Sequence, residues 1–216
     1  MPDYTEKPRR GRPASLSREE ILQAGLLLLE QDPAAVTLNG VARQLGRAPM
    51  TLYTHVRDRD DLLLGISELV LGKLELKLDT DHWEEQVRQW AAQVREHLEQ
   101  YPQVLRLIGD ERQIPVKWLE LQARLVGVLH TAGLREQCLG RTADLICQSV
   151  VFDAIHAQAL SGQVEDKSSD TLAALSDTDR KYIQMVIDSA PGGHHSLLDF
   201  TLDKLLKDAS EYLEQP

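Results

Sequence analysis

The chain has 216 residues, 42% hydrophobic and 27% charged, enough to form the core of one large domain or two small ones. It has no run of about 18 uncharged apolar residues, which argues against a membrane span, and the polar, basic residues 1–13 argue against a secretory signal. Two cysteines, Cys138 and Cys147, are too few for a disulfide framework or a zinc site. A reducing cytoplasm is therefore the expected compartment.

The net charge of -10 is unevenly distributed along the chain. Residues 1–65 carry nine Lys/Arg and nine Asp/Glu, whereas residues 66–216 carry 15 and 25. The whole acidic excess therefore lies in the second part. In the first part, basic residues occupy acid-free stretches at 7–18 and 36–57. This local enrichment is typical of a surface that contacts a polyanion, although a short basic run can also merely solubilise a surface.

Nearly the whole chain is predicted to be helical, because leucines recur at spacings of three and four and no alternating run of useful length is present. The first helix is expected to begin at Ser17, which forms a capping-box pattern with Glu20. It should end before Pro33, since proline disfavours helical geometry at the residue that precedes it.

Two short helices are predicted next, joined by a tight turn. Thr37 is a favourable N-cap for the first of them, and Gly46 follows it where a left-handed C-cap residue is preferred. The second begins near Pro49, which is tolerated in a first turn, and is expected to end near Val56.

Further helices are predicted for residues 60–78, 83–101, 115–131, 139–160, 177–189 and 196–213. Residues 161–170 are polar and contain Gly and Ser, which predicts a mobile loop. The last helix is apolar on more than one face and should pack against more than one neighbour. Its two predicted stripes are Leu198, Leu202, Leu205, Ala209 and Tyr212, and Leu197, Phe200 and Leu206.

A helix followed by two helices with a glycine turn between them is the pattern of a helix-turn-helix, whose second helix enters the DNA major groove. Here that helix presents polar and small apolar side chains suited to phosphates, base edges and thymine methyls. Thr37 at a helix N-terminus is placed for a phosphate, and Arg47 and Arg57 would neutralise backbone charge. The outward set comprises Met50, Thr51, Tyr53, Thr54 and His55.

The basic residues at 9–13 read Arg-Arg-Gly-Arg-Pro. A flexible arm of this kind can place Arg10 and Arg12 in the minor groove, where A·T tracts concentrate negative potential. A disordered basic tail without a groove contact explains the composition equally well.

Residues Leu16 to Leu63 resemble the N-terminal domain of the tetracycline-repressor (TetR) family, most specifically in "VTLNGVARQLG" and "TLYTHVRDRDDLL". The resemblance implies an all-α fold with an N-terminal three-helix helix-turn-helix domain and a helical C-terminal domain for ligand binding and dimerisation. Many members carry a lysine just after the Tyr-x-His-Val string, where Arg57 and Arg59 stand here. The DNA surface implied by position comprises Thr37, Arg47, Pro49, Met50, Thr51, Tyr53, Thr54 and His55.

The same resemblance implies a basic arm at 1–16, a helix-turn-helix domain at 17–60 and an effector and dimerisation domain at 61–216. A homodimer, paired through the helices near 139–160 and 196–213, would bind a palindromic double-stranded operator. The implied function is a ligand-responsive repressor in the prokaryotic cytoplasm, associated with the nucleoid. Activation instead of repression stays open.

Nothing in the sequence identifies the small molecule. Aromatic or polar residues on otherwise apolar helices are the candidate contacts, although each could equally be a core or interface residue. Their few charges favour an apolar or aromatic effector. No cofactor or metal is expected, because the adjacent His194 and His195 point apart and are better placed to cap the last helix. The candidates are Trp90, Tyr101, Trp118, Gln122, His130, Cys147 and His156.

Two other functions fit the sequence less well. An all-helical enzyme would need a catalytic constellation, but the sequence has no Gly-rich phosphate loop, His-x-x-x-His pair or serine elbow, so the chain is not expected to be an enzyme. A helical adaptor that binds protein would not need the basic arm or the outward Thr, Tyr and His side chains.

Overall fold

The computed structural model describes residues 16–101, 104–105, 114–161, 175–189 and 197–214. All regular structure in these residues is helical, which confirms the all-α prediction. The helices are α1 (Arg18–Gln31), α2 (Leu38–Gln44), α3 (Pro49–Leu52), α4 (Arg59–Leu71), α5 (Trp83–Gln100), α6 (Val116–Ala132), α7 (Glu136–Ser161), α8 (Asp177–Ser189) and α9 (Leu197–Leu213), with a short 3-10 turn at Pro33–Ala35.

The chain divides into two compact units, residues 1–66 and 67–216. Several predicted features lie outside the described residues: the basic arm with Arg10 and Arg12, the loop at 162–170, and the pair His194 and His195. None of the described helices is long and apolar enough to cross a membrane.

The N-terminal unit begins with the predicted capping box. The Ser17 hydroxyl accepts a hydrogen bond from the Glu20 backbone N–H at 3.1 Å, and the Ser17 N–H donates to the Glu20 carboxylate at 2.7 Å. Farther along α1, Gly25 permits a close approach to α4, since a Cβ there would lie 2.8 Å from the Ile66 side chain. The result is a rigid support for α2 and α3.

The helix-turn-helix follows the prediction at its turn. Thr37 caps α2 by accepting from the Gly40 N–H at 3.0 Å. Gly46 has φ 61°, a left-handed conformation that glycine adopts without steric cost. The Arg47 N–H then donates back to the Ala42 carbonyl at 2.9 Å and closes the turn.

The helix α3 is shorter than predicted and ends at Leu52 instead of near Val56. The N–H groups of His55 and Val56 both donate to the Leu52 carbonyl, and the Thr54 hydroxyl donates to the Thr51 carbonyl at 2.7 Å. Such local bonds compete with the continuing helix and tighten the chain into turns. Leu52 and Val56 are nevertheless buried as expected.

The prediction that the fourth helix reaches Leu78 is wrong, because α4 ends at Leu71. After Gly72 the chain is extended, and its backbone finds a partner outside the helix. The Lys77 N–H donates to the Gln93 side-chain oxygen at 3.0 Å, and the Gln93 amide donates to the Lys77 carbonyl at 2.7 Å. A glutamine on α5 thus supplies the bonds that a longer helix would have made.

In the C-terminal unit, α5 packs on α6 and α7, and α7 packs also on α9. Trp90 lies at the centre, fully buried, and its indole N–H donates to the Leu121 carbonyl at 2.9 Å. This bond satisfies the one polar group of the largest core side chain. Gly133, at φ 117°, ends α6 in a left-handed conformation.

The stripes predicted on the last helix need a correction. Leu206 belongs to the buried face of α9, whereas Leu205 is half-buried and Tyr212 is exposed. At about 100° per residue, Leu206 lies on the same side as Leu202 and Ala209. The buried face comprises Leu198, Leu202, Leu206 and Ala209, and the exposed apolar residues are Leu197, Phe200 and Tyr212.

Candidate nucleic-acid interface and ligand cavity

A buried carboxylate, Asp61, fixes the geometry around α3. It accepts a hydrogen bond from Arg18 at 2.8 Å and from the Arg57 backbone N–H at 2.9 Å, and Arg18 also donates to the His55 carbonyl at 2.6 Å. The hydrogen bond from Arg18 is the main cause that lowers the pKa of Asp61 to about 2. Sequence reasoning missed this clamp.

The outward residues of α3 and its following turn face solvent. Met50 is 76% exposed and Tyr53 is 51% exposed, while Thr51 and Thr54 are exposed and His55 is half-buried. The segment is held from beneath by buried leucine and valine side chains, so its exposure does not depend on local flexibility. The exposed methionine and tyrosine, beside exposed threonines, are available to contact a partner.

The flanking residues are also exposed, but they differ in the hydrogen-bond donors and charges that they present to solvent. The Thr37 oxygen accepts from a backbone N–H as a cap, which leaves its O–H free to donate to an external acceptor. Arg47 and Pro49 are exposed. The side chain of Arg57 is 79% exposed, with Nε 3.6 Å from the Asp61 carboxylate.

Two arginines of the first part have structural roles instead. Arg59 donates through Nε to the Val36 carbonyl at 3.0 Å, and Arg18 is held by Asp61. Arg43, near the end of α2, is exposed. Both Arg57 and Arg59 are exposed, but the Arg59 side chain has this backbone partner, whereas Arg57 is the one of the two that was predicted to neutralise backbone charge.

A cavity of about 720 Å³ lies against α6, α7 and α9. It brings together three of the seven candidate ligand contacts, Trp118, Gln122 and Cys147. Burial raises the pKa of the Cys147 thiol to about 11, so this group is neutral at physiological pH. The lining is therefore aromatic and polar, with Asp144 as its charged member among the described residues.

The other four candidates lie elsewhere. Trp90 is buried and packs on Trp118 with ring centroids 6.5 Å apart, and Tyr101 packs on His97 at 5.3 Å. His130 is exposed near the end of α6. His156 is exposed and stacks on Phe152 at 6.2 Å.

Sequence reasoning missed the exposed apolar residues that border the large cavity. Leu145, Phe152 and Ile155 lie on one side of α7, and Leu197 lies at the start of α9. Their spacing of seven and three on α7 was a readable signal of a shared face. Within the described ranges, no group of three or more His, Cys, Asp or Glu side chains could hold a metal ion.

Comparison with known proteins agrees with this architecture. Residues 77–181 match the model of the tetracyclin repressor-like C-terminal domain. An uncharacterised HTH-type transcriptional regulator of Mycobacterium tuberculosis, Rv0681, is 38% identical in an alignment of 69 residues that covers 28% of this chain. The chain spans only 32% of the length of that curated relative.

Solved structures resemble the fold over most of the chain. ActR from Streptomyces coelicolor in complex with actinorhodin has a TM-score of 0.75 at 20% identity and matches over 94% of this chain and 100% of its own. BioQ with its double-stranded DNA operator has a TM-score of 0.61 at 19% identity, over 73% and 95%. At these identities the likeness establishes the fold. Residues 77–181 thus match the tetracyclin repressor-like C-terminal domain, and the chain is similar in fold to ActR and BioQ.

Proposed function

We propose that the chain is a transcriptional regulator that reads a double-stranded DNA operator through α3 and the turn after it. The observation that carries the proposal is the exposed Met50 and Tyr53 beside exposed threonines, on a segment locked in place by the Asp61 clamp. BioQ, which has the same fold, has been solved with its DNA operator. The matches in family and sequence are to regulators, not to enzymes.

The proposed contacts divide by chemistry. Met50, Tyr53 and the threonine side chains would read base edges and methyl groups, while Thr37 and the exposed arginines would bind phosphates. Because each neutralised phosphate releases counterions, binding should weaken steeply with salt. The full proposed set is Arg10, Arg12, Thr37, Arg47, Pro49, Met50, Thr51, Tyr53, Thr54, His55 and Arg57, carried by a reading domain at 17–60 with a basic arm before it.

A homodimer is the second part of the proposal. Apolar side chains remain exposed on α7 and α9, the helices expected to pair, and a solvent-facing stripe of this kind indicates a covered surface. A second copy would also close the large cavity from outside. The stripe comprises Leu145, Phe152, Ile155, Leu197 and Phe200.

The third part is a small-molecule effector that changes operator binding. ActR has been solved with actinorhodin, and a TetR variant from Acinetobacter baumannii with minocycline. Trp118, Gln122 and Cys147 are the proposed contacts here, because they line one cavity of a size usual for ligand sites. Repression, relieved by the effector in the bacterial cytoplasm, is the proposed direction of control.

The direct test is selection of genomic fragments on the full chain, followed by gel-shift titration of a selected fragment at several salt concentrations. The double variant Tyr53→Ala with Arg47→Ala should bind at least about tenfold more weakly, since it loses one base-facing and one phosphate-facing group. The single variant Arg141→Ala, which removes an exposed charge in the other unit, should bind normally.

Unchanged binding by the double variant would rule out α3 as the reader. A promoter fusion carrying the selected fragment then decides the direction of control. Lower reporter output in the presence of the protein supports repression, and higher output contradicts it.

A further inference from the structure

A second cavity, of about 460 Å³, lies between the chain that follows α4 and one side of α6. Its apolar wall is formed by leucines: Leu71 and Leu121 are buried, and Leu74 and Leu76 are half-buried. In the extended chain, Leu74 and Leu76 alternate with charged residues, so these two leucines point to the same side. The cavity therefore has a continuous hydrocarbon wall within the size range of small-molecule sites.

The other wall, on α6, carries positive charge. Lys117 Nζ lies 2.7 Å from the Glu120 carboxylate, so these two groups largely offset each other. Arg124 also lines the cavity, is exposed, and makes no ion pair within the described part of the chain. Arg124 therefore leaves one net positive charge on the described lining, in the part of the chain that holds all the acidic excess.

Leucines on one wall and a guanidinium on the other suit a ligand with an alkyl chain and an acidic head. A guanidinium presents paired N–H donors that match a carboxylate geometrically, and it repels a cationic head. The polar residues proposed for the large cavity, Gln122 and Cys147, line a different surface and would not take part.

Next to the cavity in the sequence, α4 makes a hydrogen-bonded contact with the start of α6. The Glu68 carboxylate on α4 accepts hydrogen bonds from the backbone N–H of Val116 at 2.5 Å and of Lys117 at 3.0 Å. Glu68 therefore caps α6 from 48 residues away, just before the cavity wall begins at Leu71. A molecule wedged between the two walls would press on both partners of this cap.

We propose that this cavity binds an amphiphilic carboxylate, with its alkyl chain on the leucines and its head at Arg124, and that its occupancy alters operator binding. The proposed binding of the carboxylate does not depend on whether the chain binds DNA. The effect on operator affinity rests on the proposed function and acts through the helix α4, which continues from residue 71 back to residue 59.

Calorimetric titration of the full chain with decanoate tests the site. Decanoate should saturate one site per chain, and decyltrimethylammonium, which has the same chain and the opposite charge, should bind at least about tenfold more weakly. Arg124→Gln should weaken decanoate binding about tenfold. Ala123→Phe should abolish it by filling the cavity, since Ala123 lines it and is exposed. Arg141→Gln, an exposed arginine on α7, is the matched control.

No saturable decanoate binding, equal binding of the cationic amphiphile, or normal binding by both cavity variants would each overturn the site. Circular dichroism of each variant confirms that it is folded. The gel shift is then repeated with saturating decanoate: a changed affinity in the parent chain and none in Ala123→Phe supports the regulatory half, and an unchanged affinity refutes it. Failure of every fragment to bind would instead reject the proposed function, while the calorimetry would still decide the site.

Discussion

The Asp61 carboxylate joins three segments of the N-terminal unit. It belongs to the first turn of α4, receives Arg18 from α1, and receives the Arg57 N–H from the turn after α3. Arg18 in turn holds the His55 carbonyl. One buried acid therefore determines where the exposed reading segment ends, although it faces away from the surface that we propose contacts DNA.

Replacing Asp61 with asparagine should lower the free energy of unfolding by about 1–2 kcal/mol at pH 7. The variant loses a charge-assisted hydrogen bond, but the partner Arg18 is partly exposed and part of the gain is screened. Because the folded pKa of about 2 lies below the ordinary 3.8, the stabilisation is present above about pH 4 and is lost as the pH falls toward 2.

Urea denaturation of the parent chain and the variant at pH 7 and pH 3 measures both effects. The difference between the two proteins should shrink at the lower pH. Asp60→Asn is the matched control, because Asp60 lies in the same first turn but is exposed. Equal stability of the parent chain and Asp61→Asn at pH 7 would contradict the clamp.

At the level of elements, local signals predicted well. The cap at Ser17, the cap at Thr37 and the left-handed Gly46 all depend on residues within one turn of each other. The end of α4 was not predictable in this way, because Gln93, far along the chain, supplies the hydrogen bonds to the extended segment.

The candidate sites also include features with a local sequence signal and features that depend on distant residues. The outward set on α3 followed from the periodicity around Leu52, which is a local property. The cavity contacts required knowledge of which helix faces pack together, and so only Trp118, Gln122 and Cys147 of the seven candidates came together. The Asp61 clamp joins residues 43 positions apart and has no local signal.

Alanine substitutions at Gly127, inside α6, and at Gly133, at the end of α6, should change the free energy of unfolding in opposite directions. Gly133→Ala should lower the free energy of unfolding by about 1–2 kcal/mol, because a left-handed alanine is strained and its Cβ would lie 3.0 Å from Leu213. Gly127→Ala should raise it by about 0.5–1 kcal/mol, since nothing lies within 4 Å of the added Cβ and alanine favours the helix interior.

Thermal and urea denaturation of the two single variants beside the parent chain gives both differences. Each variant serves as the control for the other, because the chemical change is the same and only the backbone conformation differs. A stabilising Gly133→Ala would refute the left-handed end of α6.

At the scale of the whole molecule, the charges are distributed unevenly along the chain, and exposed apolar residues form a stripe in the acidic part. The acidic excess lies in the second part of the sequence, whereas residues 1–65 carry equal numbers of basic and acidic residues. The C-terminal unit also exposes the apolar stripe on α7 and α9 defined above. An acidic surface that carries this stripe favours self-association through the stripe, because like charges oppose the pairing of charged surfaces.

Phe152→Asp should therefore convert a dimer into a monomer. The side chain is 56% exposed in one chain, and in the proposed dimer the substitution would bury an unpaired carboxylate at the centre of the stripe, at a cost of several kcal/mol. Light scattering after size exclusion should give twice 24.3 kDa for the parent chain and 24.3 kDa for the variant. Because the proposed palindromic operator would be bound by two readers, the variant should also lose gel-shift affinity. Leu27→Asp, which places the same charge on an exposed leucine of α1, should remain dimeric. A monomeric parent chain, or a Phe152→Asp variant that still dimerises, would show that this stripe is not the interface.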